Sequence, residues 1–427
     1  MTYRALLEWL YGARRAGVKL ELSRMAAHLE RLGHPERRFR ATAQVAGTNG
    51  KGSTVAYLEA ALGEAGVVTG AFSSPHLLRF CERFRVAGVA ADESALGAAG
   101  ERVRAADPGG ELTFFERATA MAAVVLAEAN VDVAIFEVGL GGRFDATTAI
   151  IADVAAVTGV ALDHQAYLGD TIPAIAAEKA AIFRRGQRAV IGCGGEPCAV
   201  PLLRAAAAAA GVDSIDVVDP SRVAGIPLAM AGEHQRANAA CALAVAENLA
   251  SMGAVRHDAA AFARGLSRAT VRARLERVAT APAIVVDGAH NPHAAQALAR
   301  WLATAADRPL WAVCGVAADK DIAGVVAPVA PLCDGWIATG ANNPRAADPA
   351  IVAGAARRSN PLLEVTTCAS VGGAIDDARA GAGETGMVIV FGSLMVCGEA
   401  LAHITGAAAD PIVLTDPVGA LIDGKSR

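Results

Sequence analysis

The chain has 427 residues, of which 53% are hydrophobic and 19% are charged, and its formal net charge is −4. Because this length exceeds one ordinary hydrophobic core, we expect two domains, and the apolar content excludes a disordered chain. The small negative charge gives no indication of a nucleic-acid or lipid partner. Eight cysteines are scattered without a CxxC pair, which is typical of reduced thiols rather than a disulfide scaffold.

No apolar run approaches the roughly 18 residues of a membrane span. Charged residues interrupt the first apolar stretch, so it lacks the continuous core of a signal peptide. We therefore expect a cytoplasmic protein that acts as a monomer, with no membrane partner and no nucleic-acid partner.

Strands that alternate with helices predict an α/β fold in which the first sheet is largely parallel. Helical periodicity runs through 3–33 and precedes the first buried strand. Further along this half, apolar runs predict strands at 42–46, 67–72, 131–138 and 154–160, and helices at 53–62, 115–129, 175–183 and 205–210 and from 232 onward.

An arginine-rich stretch at 268–279 breaks the apolar pattern and predicts a linker. We place a domain boundary at 277, which divides the chain into an N-terminal domain, 1–277, and a C-terminal domain, 278–427. The rhythm of strands and helices then resumes and predicts a smaller Rossmann-like α/β domain, with strands at 283–286, 310–316, 335–339 and 387–391.

The first strand runs into a glycine loop that carries one lysine, and a helical segment follows it. Glycines let backbone N–H groups approach phosphate oxygens, the lysine supplies a cation, and the helix N-terminus adds its dipole. The spacing departs from a strict Walker A motif, so an ordinary strand-to-helix turn is the alternative. The nucleotide-binding candidates are Gly47, Thr48, Asn49, Gly50, Lys51, Gly52 and Ser53.

Ser74, Glu137 and His164 each follow or end a predicted strand of the first sheet. In a parallel sheet these positions share one edge with the glycine loop, where ligands bind. A hydroxyl, a carboxylate and an imidazole beside bound phosphates can share octahedral Mg²⁺. Taken singly, Ser74 could cap a helix, Glu137 could accept loop N–H bonds, and His164 could be a satisfied core histidine.

Three further polar residues have alternative interpretations. Lys179 lies beside Glu178 in a predicted helix and, from the residues alone, reads as a solvated surface pair. Asp287 ends a strand, where it could bind a ribose hydroxyl or cap the next helix. Arg274, in the predicted linker, could reach a phosphate or be solvated. These residues indicate a two-domain ATP-dependent enzyme with its site in the cleft, and leave a transferase, a ligase or an ATPase switch open.

Several motifs jointly resemble the folylpolyglutamate synthase/dihydrofolate synthase family, the folate branch of the Mur-type ligases. They occur in the family's order and spacing between about residue 18 and about residue 400. The segments that carry the resemblance are VAGTNGKGST at 45–54, SSPHLLRFCERFRV at 73–86, LTFFE at 112–116, EVGLGGRFDAT at 137–147, ALDHQAYLGDTIPAIAAEKAAIFR at 161–184 and DGAHNPHA at 287–294.

The resemblance implies that ATP phosphorylates a carboxylate to an acyl phosphate, which the amine of L-glutamate then attacks to form an amide. It implies ATP as co-substrate and Mg²⁺ as cofactor, with Ser74, Glu137 and His164 as metal ligands. Lys179 matches a position where the family carries a lysine carbamate, an anion that could serve as a metal ligand and hold a second metal. By the same resemblance Lys51, His164 and Lys179 are the catalytic residues.

The resemblance also assigns binding residues on both sides of the expected cleft. Asn238, Arg274 and Asp287 match positions that contact ATP from the far side. Glutamate is expected mainly against the second domain. The positions that match the pterin pocket are Thr113, Phe114, Phe115, Glu116, Phe144, Asp145 and Ala146.

The chain departs from the family pattern in three places. Leu-Gly-Leu-Glu-Arg is replaced by the segment 20–24, Thr148 replaces a frequent Asn, and Arg272-Ala273-Arg274 replaces Pro-Gly-Arg. The departure at 20–24 weakens the assignment of pterin contacts to that segment. The departure at 272–274 weakens the assignment of Arg274. A member with only one of the two glutamate additions, a P-loop ATPase switch, and a non-enzymatic folate-binding relative are the alternatives.

Overall fold

A computed structural model describes residues 1–13, 22–305 and 307–410. The predicted helical stretch 3–33 is two helices in the described part, α1 and α2, and residues 14–21 lie outside the description. The helices of the first half are α1 Tyr3–Tyr11, α2 Ser23–Arg31, α3 Lys51–Glu64, α4 Glu93–Ala106, α5 Phe114–Glu128, α6 Gln165–Leu168, α7 Ile172–Ala180, α8 Ala199–Ala210, α9 His234–Ser251 and α10 Ala259–Arg268.

The strands of this half form one sheet in the order β4-β3-β2-β5-β1-β6-β7-β8, counted over the described residues. Strands β2, β5, β1, β6, β7 and β8 run parallel, whereas β3 and β4 form an antiparallel edge. Their bounds are β1 Ala41–Ala46, β2 Thr69–Phe72, β3 Phe84–Val86, β4 Val89–Ala90, β5 Val133–Glu137, β6 Val154–Val157, β7 Arg188–Ile191 and β8 Ser214–Val217.

Strand β1 lies between β5 and β6, and every residue of the three strands is buried. Helices cover both faces of the sheet, with α3, α9 and α10 on one side and α5 on the other. Burial on both faces explains why these strands read as continuous apolar runs instead of alternating ones. The predicted largely parallel α/β sheet is confirmed.

The second half forms a sheet in the order β13-β12-β11-β14-β10-β9 within the described chain. All its strands are parallel except β9, which pairs antiparallel with β10. The elements are β9 Glu276–Thr280, β10 Ala283–Val286, β11 Leu310–Cys314, β12 Gly335–Ala338, β13 Glu364–Thr367 and β14 Met387–Phe391, with α11 Pro292–Leu302, α12 Ile322–Val326, α13 Pro349–Ser359, α14 Val371–Ala382 and α15 Leu394–Thr405.

The prediction of a linker over 268–279 is wrong at its C-terminal end, because Glu276–Thr280 is strand β9. Its charged and polar residues suit an edge strand that is half exposed, which gives no continuous apolar run. Strands β3 and β7 and the edge strands β4, β8 and β13 were also not predicted. In the described chain, no helix is long and apolar enough to cross a membrane.

Candidate active site

The carboxyl ends of the parallel strands of the two sheets face each other across a cleft of about 980 Å³. The first half contributes the glycine loop and the segments that follow β2, β5 and β6. The second half contributes the segments that follow β10, β11, β12 and β14. Residues from both walls line the cleft, among them Lys51, Ser74, Glu137, His164, Lys179, Asn238, Arg274, Asp287, His290, Lys320 and Ser393.

The glycine loop, residues 47–50, connects β1 to the N-terminus of α3 in a conformation that only glycine accepts at two positions. Gly47 has φ +147° and Gly50 has φ +85°. A Cβ atom at Gly47 would lie 1.9 Å from Oγ1 of Thr158, and one at Gly50 would lie 2.1 Å from Oδ1 of Asn238. The loop therefore packs closely beneath the cleft and directs the first turn of α3 into it.

Two lysine side chains converge on this loop. The Nζ atom of Lys51 donates to the carbonyl oxygens of Gly47 and Thr48 at 3.1 and 3.2 Å. The Nζ atom of Lys179 donates to the same Gly47 oxygen at 3.0 Å. Burial lowers the pKa of Lys51, and burial together with the charge of Lys51 lowers the pKa of Lys179 to about 7.

The interpretation of Lys179 as a solvated surface residue is wrong. Its side chain belongs to α7 and the residue is only 4% exposed. Its neighbour Glu178 pairs instead with Arg143, with 2.8 Å between Oε1 and Nε. The structure thus separates the two residues, with the carboxylate on the surface and the ammonium group in the cleft.

Glu137, Ser74 and His164 lie at the same edge of the sheet, as the strand pattern predicts. Glu137 is buried at the end of β5, and Oε2 accepts a 3.4 Å hydrogen bond from the backbone N–H of Ser74. Burial raises the pKa of this carboxyl group. Glu137 thus accepts a hydrogen bond from a loop N–H group, as the alternative to a metal-binding role expected, and its side chain also lines the cleft.

The imidazole of His164 is uncharged and incompletely satisfied. Burial lowers its pKa to about 3, so at pH 7 the ring is neutral, with one nitrogen carrying a proton and the other a lone pair. Its Nδ1 atom is buried and has no hydrogen-bond partner among the described residues. This nitrogen does not fit a satisfied core histidine, whereas a neutral imidazole with a vacant nitrogen fits a metal ligand.

The residues fit a divalent cation whose coordination is completed by other molecules. Within the described ranges, no three His, Cys, Asp or Glu side chains cluster so that they could hold a metal alone. Glu137, the Ser74 hydroxyl and His164 supply too few donors for six-fold coordination, and phosphate oxygens and water commonly complete Mg²⁺ sites.

Asp163 forms a second polar cluster in the cleft, which the sequence reasoning did not single out. Its Oδ1 atom accepts a hydrogen bond from Nζ of Lys320, and its Oδ2 atom accepts one from Nδ2 of Asn291 at 3.0 Å. Nε2 of His290 lies 3.6 Å from Oδ2. Burial alone would raise the pKa of Asp163, but His290 and Lys320 hold it well below its usual range.

Signals for this cluster exist in the sequence, although they are weak ones. Asp163 and Asn291 stand in the quoted motifs, each a few residues beyond a buried strand. Lys320 follows β11 in a similar position, between two aspartates. Polar residues beyond a parallel strand are the positions where a cleft is expected.

Asn238, Arg274 and Asp287 all line the cleft. The expectation that Asn238 contacts ATP from the far side is wrong, because it belongs to α9 of the first half and lies against Gly50 of the glycine loop. Nδ2 of Asn238 donates to Oε1 of Gln235 at 2.9 Å. Asp287 accepts 2.9 Å hydrogen bonds from the backbone N–H groups of Leu275 and Ala289. The helix-capping alternative for Asp287 is wrong, because Asn291 is the residue that caps α11.

The seven expected pterin residues lie outside the lining of this cleft, as far as the described residues define it. Thr113 and Glu116 form the capping box of α5, and Oε1 of Glu116 binds Arg24 at 2.6 Å. Phe114 is a core residue that stacks on Tyr11, with 5.2 Å between ring centroids.

The remaining pterin candidates surround the loop after β5. Asp145 is buried and its carboxylate accepts hydrogen bonds from the N–H groups of Gly139 and Leu140 at 2.9 and 3.0 Å. Phe115 packs against Gly139, and Ala146 is buried. Phe144 is 46% exposed, so its ring is the most accessible of the set.

Comparisons with known proteins agree with this geometry. Residues 273–394 match the Mur ligase, glutamate ligase domain. The chain is 37% identical to the dihydrofolate synthase/folylpolyglutamate synthase of Escherichia coli, over 71% of this chain and 74% of that protein. It is 35% identical to a probable bifunctional folylpolyglutamate synthase/dihydropteroate synthase of Haloferax volcanii, over 94% of this chain but only about half (50%) of that protein.

Solved structures give the same result at the level of the fold. An Escherichia coli enzyme in complex with DHPP and ADP superposes with a TM-score of 0.85 and 32% identity, over 95% of this chain and 98% of that chain. A bifunctional folylpolyglutamate synthase/dihydrofolate synthase of Yersinia pestis, complexed with AMPPNP and a Mn ion, superposes with a TM-score of 0.84, with the same identity and coverage.

A glycine loop that faces a second α/β unit, together with the match at 273–394, defines a ligase of the Mur type. The motifs, the cleft and the level of identity agree on one branch of that class. The chain belongs to the folylpolyglutamate synthase/dihydrofolate synthase family.

Proposed function

We propose that this protein is an ATP-dependent, ADP-forming ligase that joins L-glutamate to dihydropteroate, to folates, or to both. The observation that carries the proposal is the convergence of Lys51 and Lys179 on the glycine loop, in a cleft that Glu137 and His164 also line and that faces a second α/β unit. The relatives are named for these two glutamate additions. Three expectations stay predictions: the domain division at 277, the monomeric state and the cytoplasmic location. The eight cysteines all lie in the described part of the chain, and each is a free thiol.

The proposed chemistry begins with transfer of the terminal phosphoryl group of ATP to the acceptor carboxylate. Carboxylate oxygen is a poor leaving group, whereas phosphate is a good one, so the acyl phosphate makes amide formation feasible. Lys51 and the N–H groups of residues 49–51 offset the negative charge of the phosphates. The neutral amine of L-glutamate then attacks the carbonyl carbon, a carbon–nitrogen bond forms and the nitrogen loses a proton, while the carbon–oxygen bond breaks and phosphate leaves with the bonding electrons.

A divalent cation bound by Ser74, Glu137, His164 and carbamylated Lys179 would neutralise charge on the transferred phosphoryl group. In support, the Yersinia pestis relative is described with AMPPNP and Mn. Nucleotide contacts from Asn238, Arg274 and Asp287 belong to the same proposal. The pterin assignments at 113–116 and 144–146 rest on resemblance, and the Escherichia coli complex with DHPP and ADP supports a pterin-type ligand for the family.

Two alternatives differ in what the enzyme requires. A monofunctional member would accept only dihydropteroate or only a folate. An ATPase switch would hydrolyse ATP without any carboxylate acceptor. The second α/β unit, which brings residues 287–294 to the cleft, fits a ligase better than an ATPase switch, because a switch has no need of it.

The decisive experiment measures ADP release by purified protein with L-glutamate and either dihydropteroate, tetrahydrofolate or no acceptor. We expect acceptor-dependent release together with a product that is heavier by one glutamyl residue. Release with only one acceptor would identify a monofunctional enzyme. Equal release with and without acceptor would contradict the ligase proposal.

A further inference from the structure

Asn291 uses the full hydrogen-bonding capacity of its carboxamide. Its Nδ2 atom donates to Oδ1 of Asn49 at 2.9 Å and to Oδ2 of Asp163 at 3.0 Å. Its Oδ1 atom accepts from Nδ2 of Asn49 at 3.2 Å and from the backbone N–H of Ala294 at 2.9 Å. Two donors and two lone pairs are all that this side chain has.

These four bonds join three separate parts of the molecule. Asn49 belongs to the glycine loop, and its amide forms a reciprocal pair with that of Asn291. Asp163 precedes His164 in the loop after β6. Ala294 lies in the first turn of α11, which belongs to the second half of the chain. One side chain therefore connects two loops of the first sheet to a helix of the second.

Asn291 does not itself belong to the described residues that line the cleft, and it is only 1% exposed. Its partner Asn49 does line the cleft, and so does His164, which follows its partner Asp163. Nδ2 of Asn49 also lies 3.2 Å from Nδ1 of His293, which strengthens the same contact between the two halves. Any influence of Asn291 on a bound ligand must therefore pass through the residues that it holds.

We infer that Asn291 is a positioning residue that fastens the glycine loop and the 163–164 loop to the second domain, so that the cleft is assembled before nucleotide enters. The inference rests on the proposed function only in its choice of ADP as the ligand. If the assembled form is less populated, the apparent affinity for a ligand that contacts both walls falls by the same fraction. The effect then appears in nucleotide affinity more than in turnover at saturation.

The substitution Asn291→Asp separates this role from helix capping. Aspartate caps a helix as well as asparagine does, so the bond from Ala294 is kept. Both donated bonds are lost, and a carboxylate oxygen replaces the Nδ2 atom that lies 3.0 Å from the carboxylate of Asp163. Two carboxylates at this distance repel each other, which favours separation of the two domains.

We expect Asn291→Asp to have a larger radius of gyration than the wild type in ligand-free small-angle scattering. Its ADP dissociation constant and its KM for ATP should rise by about tenfold or more, while kcat stays within about threefold. Saturating ADP should return the radius of gyration to the wild-type value. The scattering and ADP measurements need no acceptor, so they stand even if the ligase assay fails.

Asp348→Asn is the matched control, because it makes the reverse exchange at the cap of α13, where the side chain accepts from Ala350 at 2.8 Å. It should leave the radius of gyration, the ADP dissociation constant and the KM for ATP unchanged. If Asn291→Asp does not fold, Asn291→Ser keeps a capping oxygen without the added charge and should show the same changes. A folded variant with wild-type scattering and an ADP affinity within about twofold would overturn the inference, even if its melting temperature were lower.

Discussion

Lys51 and Lys179 donate to the same carbonyl oxygen, that of Gly47, although both carry positive charge in their ordinary state. The glycine loop lies where phosphates are expected, so the two ammonium groups are positioned to meet anions. Burial lowers the pKa of both lysines, and the charge of Lys51 lowers that of Lys179 further. A bound phosphate, or the loss of a proton from Lys179, would relieve this repulsion.

Replacement of Lys51 should remove the cation that serves the transferred phosphoryl group. We expect Lys51→Ala to fold normally and to lower acceptor-dependent ADP formation by at least about 10²-fold, the usual effect of losing one such contact. Circular dichroism and a coupled ADP assay provide the measurement. Arg188→Ala, which removes a half-buried cation that bonds Ser251 far from the glycine loop in sequence, is the control. Turnover within a few-fold of the wild type would contradict the nucleotide assignment.

Lys179 should form a carbamate more readily than an ordinary lysine. The neutral amine attacks the carbon of CO₂, a nitrogen–carbon bond forms, and one proton is released, which leaves an anion. With a pKa of about 7, the neutral fraction rises from about one tenth at pH 6 to about nine tenths at pH 8. An ordinary lysine of pKa ~10.4 is neutral at pH 7 in only about one molecule in 2,500.

We therefore expect ¹³CO₂ labelling of the protein to increase from pH 6 to pH 8 at fixed dissolved CO₂, with a carbamate carbon signal that Lys179→Ala lacks. The same variant should be nearly inactive, and a short carboxylic acid in the buffer should restore part of its activity. Full activity in Lys179→Ala, together with identical labelling of both proteins, would refute the carbamate.

Among single elements, α5 begins at a segment to which the resemblance assigns a pterin role. Oγ1 of Thr113 accepts from the N–H of Glu116 at 3.3 Å and donates to its Oε2 atom at 2.7 Å, and Oε2 accepts from the N–H of Thr113 at 2.8 Å. This capping box satisfies donors that a helix N-terminus leaves unpaired. A motif that resembles a pterin segment is thus also a helix start.

Thr113→Ala should lower the free energy of unfolding by about 1 kcal/mol, the usual cost of a lost N-cap. Urea denaturation measures this loss, and KM for ATP should not change. Thr113→Ser keeps the hydroxyl and should behave like the wild type. A raised KM for dihydropteroate in the alanine variant would support the pterin assignment, whereas unchanged stability would contradict the capping role.

Edge elements explain most of the errors in the strand prediction. Strands β8, β9 and β13 are partly exposed and carry polar or charged residues, so they lack the apolar runs of the central strands. The central strands β10 and β14 were predicted with their observed bounds, since both are buried throughout. Burial on both faces makes a strand easier to predict from the sequence, although the largely buried strand β7 was missed as well.

At the scale of the whole molecule, the chain returns from the second domain to the first. After α15, the backbone N–H of Asp410 donates to the carbonyl of Leu78 at 2.9 Å. Its Oδ2 atom accepts hydrogen bonds from the N–H of Phe80 at 2.6 Å and from the Tyr3 hydroxyl at 2.9 Å. This buried carboxylate therefore ties the end of the second domain to the loop that follows β2.

Asp410→Ala should destabilise the protein by about 1–3 kcal/mol, because it leaves the buried N–H of Phe80 without an acceptor. Asp410→Asn keeps one acceptor oxygen and should lose less, and Tyr3→Phe, which removes one donor, should also lose less. The order of the three urea midpoints is the measurement. A midpoint for Asp410→Ala equal to that of the wild type would show that this contact contributes nothing to stability.

The sequence alone determined the α/β class, the glycine loop and the sheet edge that carries Ser74, Glu137 and His164, because each of these depends on local spacing. Strand, loop and helix are adjacent in the chain, and parallel strands place their carboxyl ends on one side. Periodicity and turn chemistry are properties of neighbouring residues, so they can be read without coordinates.

Which distant side chains meet depends on the tertiary structure. Lys179 reads as a surface residue until α7 packs so that its ammonium group reaches the carbonyl of Gly47, 132 positions away. The contacts of Asp163 with Asn291 and Lys320 span 128 and 157 positions and join two separate sheets. Such contacts depend on how the two sheets pack across the cleft, and no local pattern of residues records that packing.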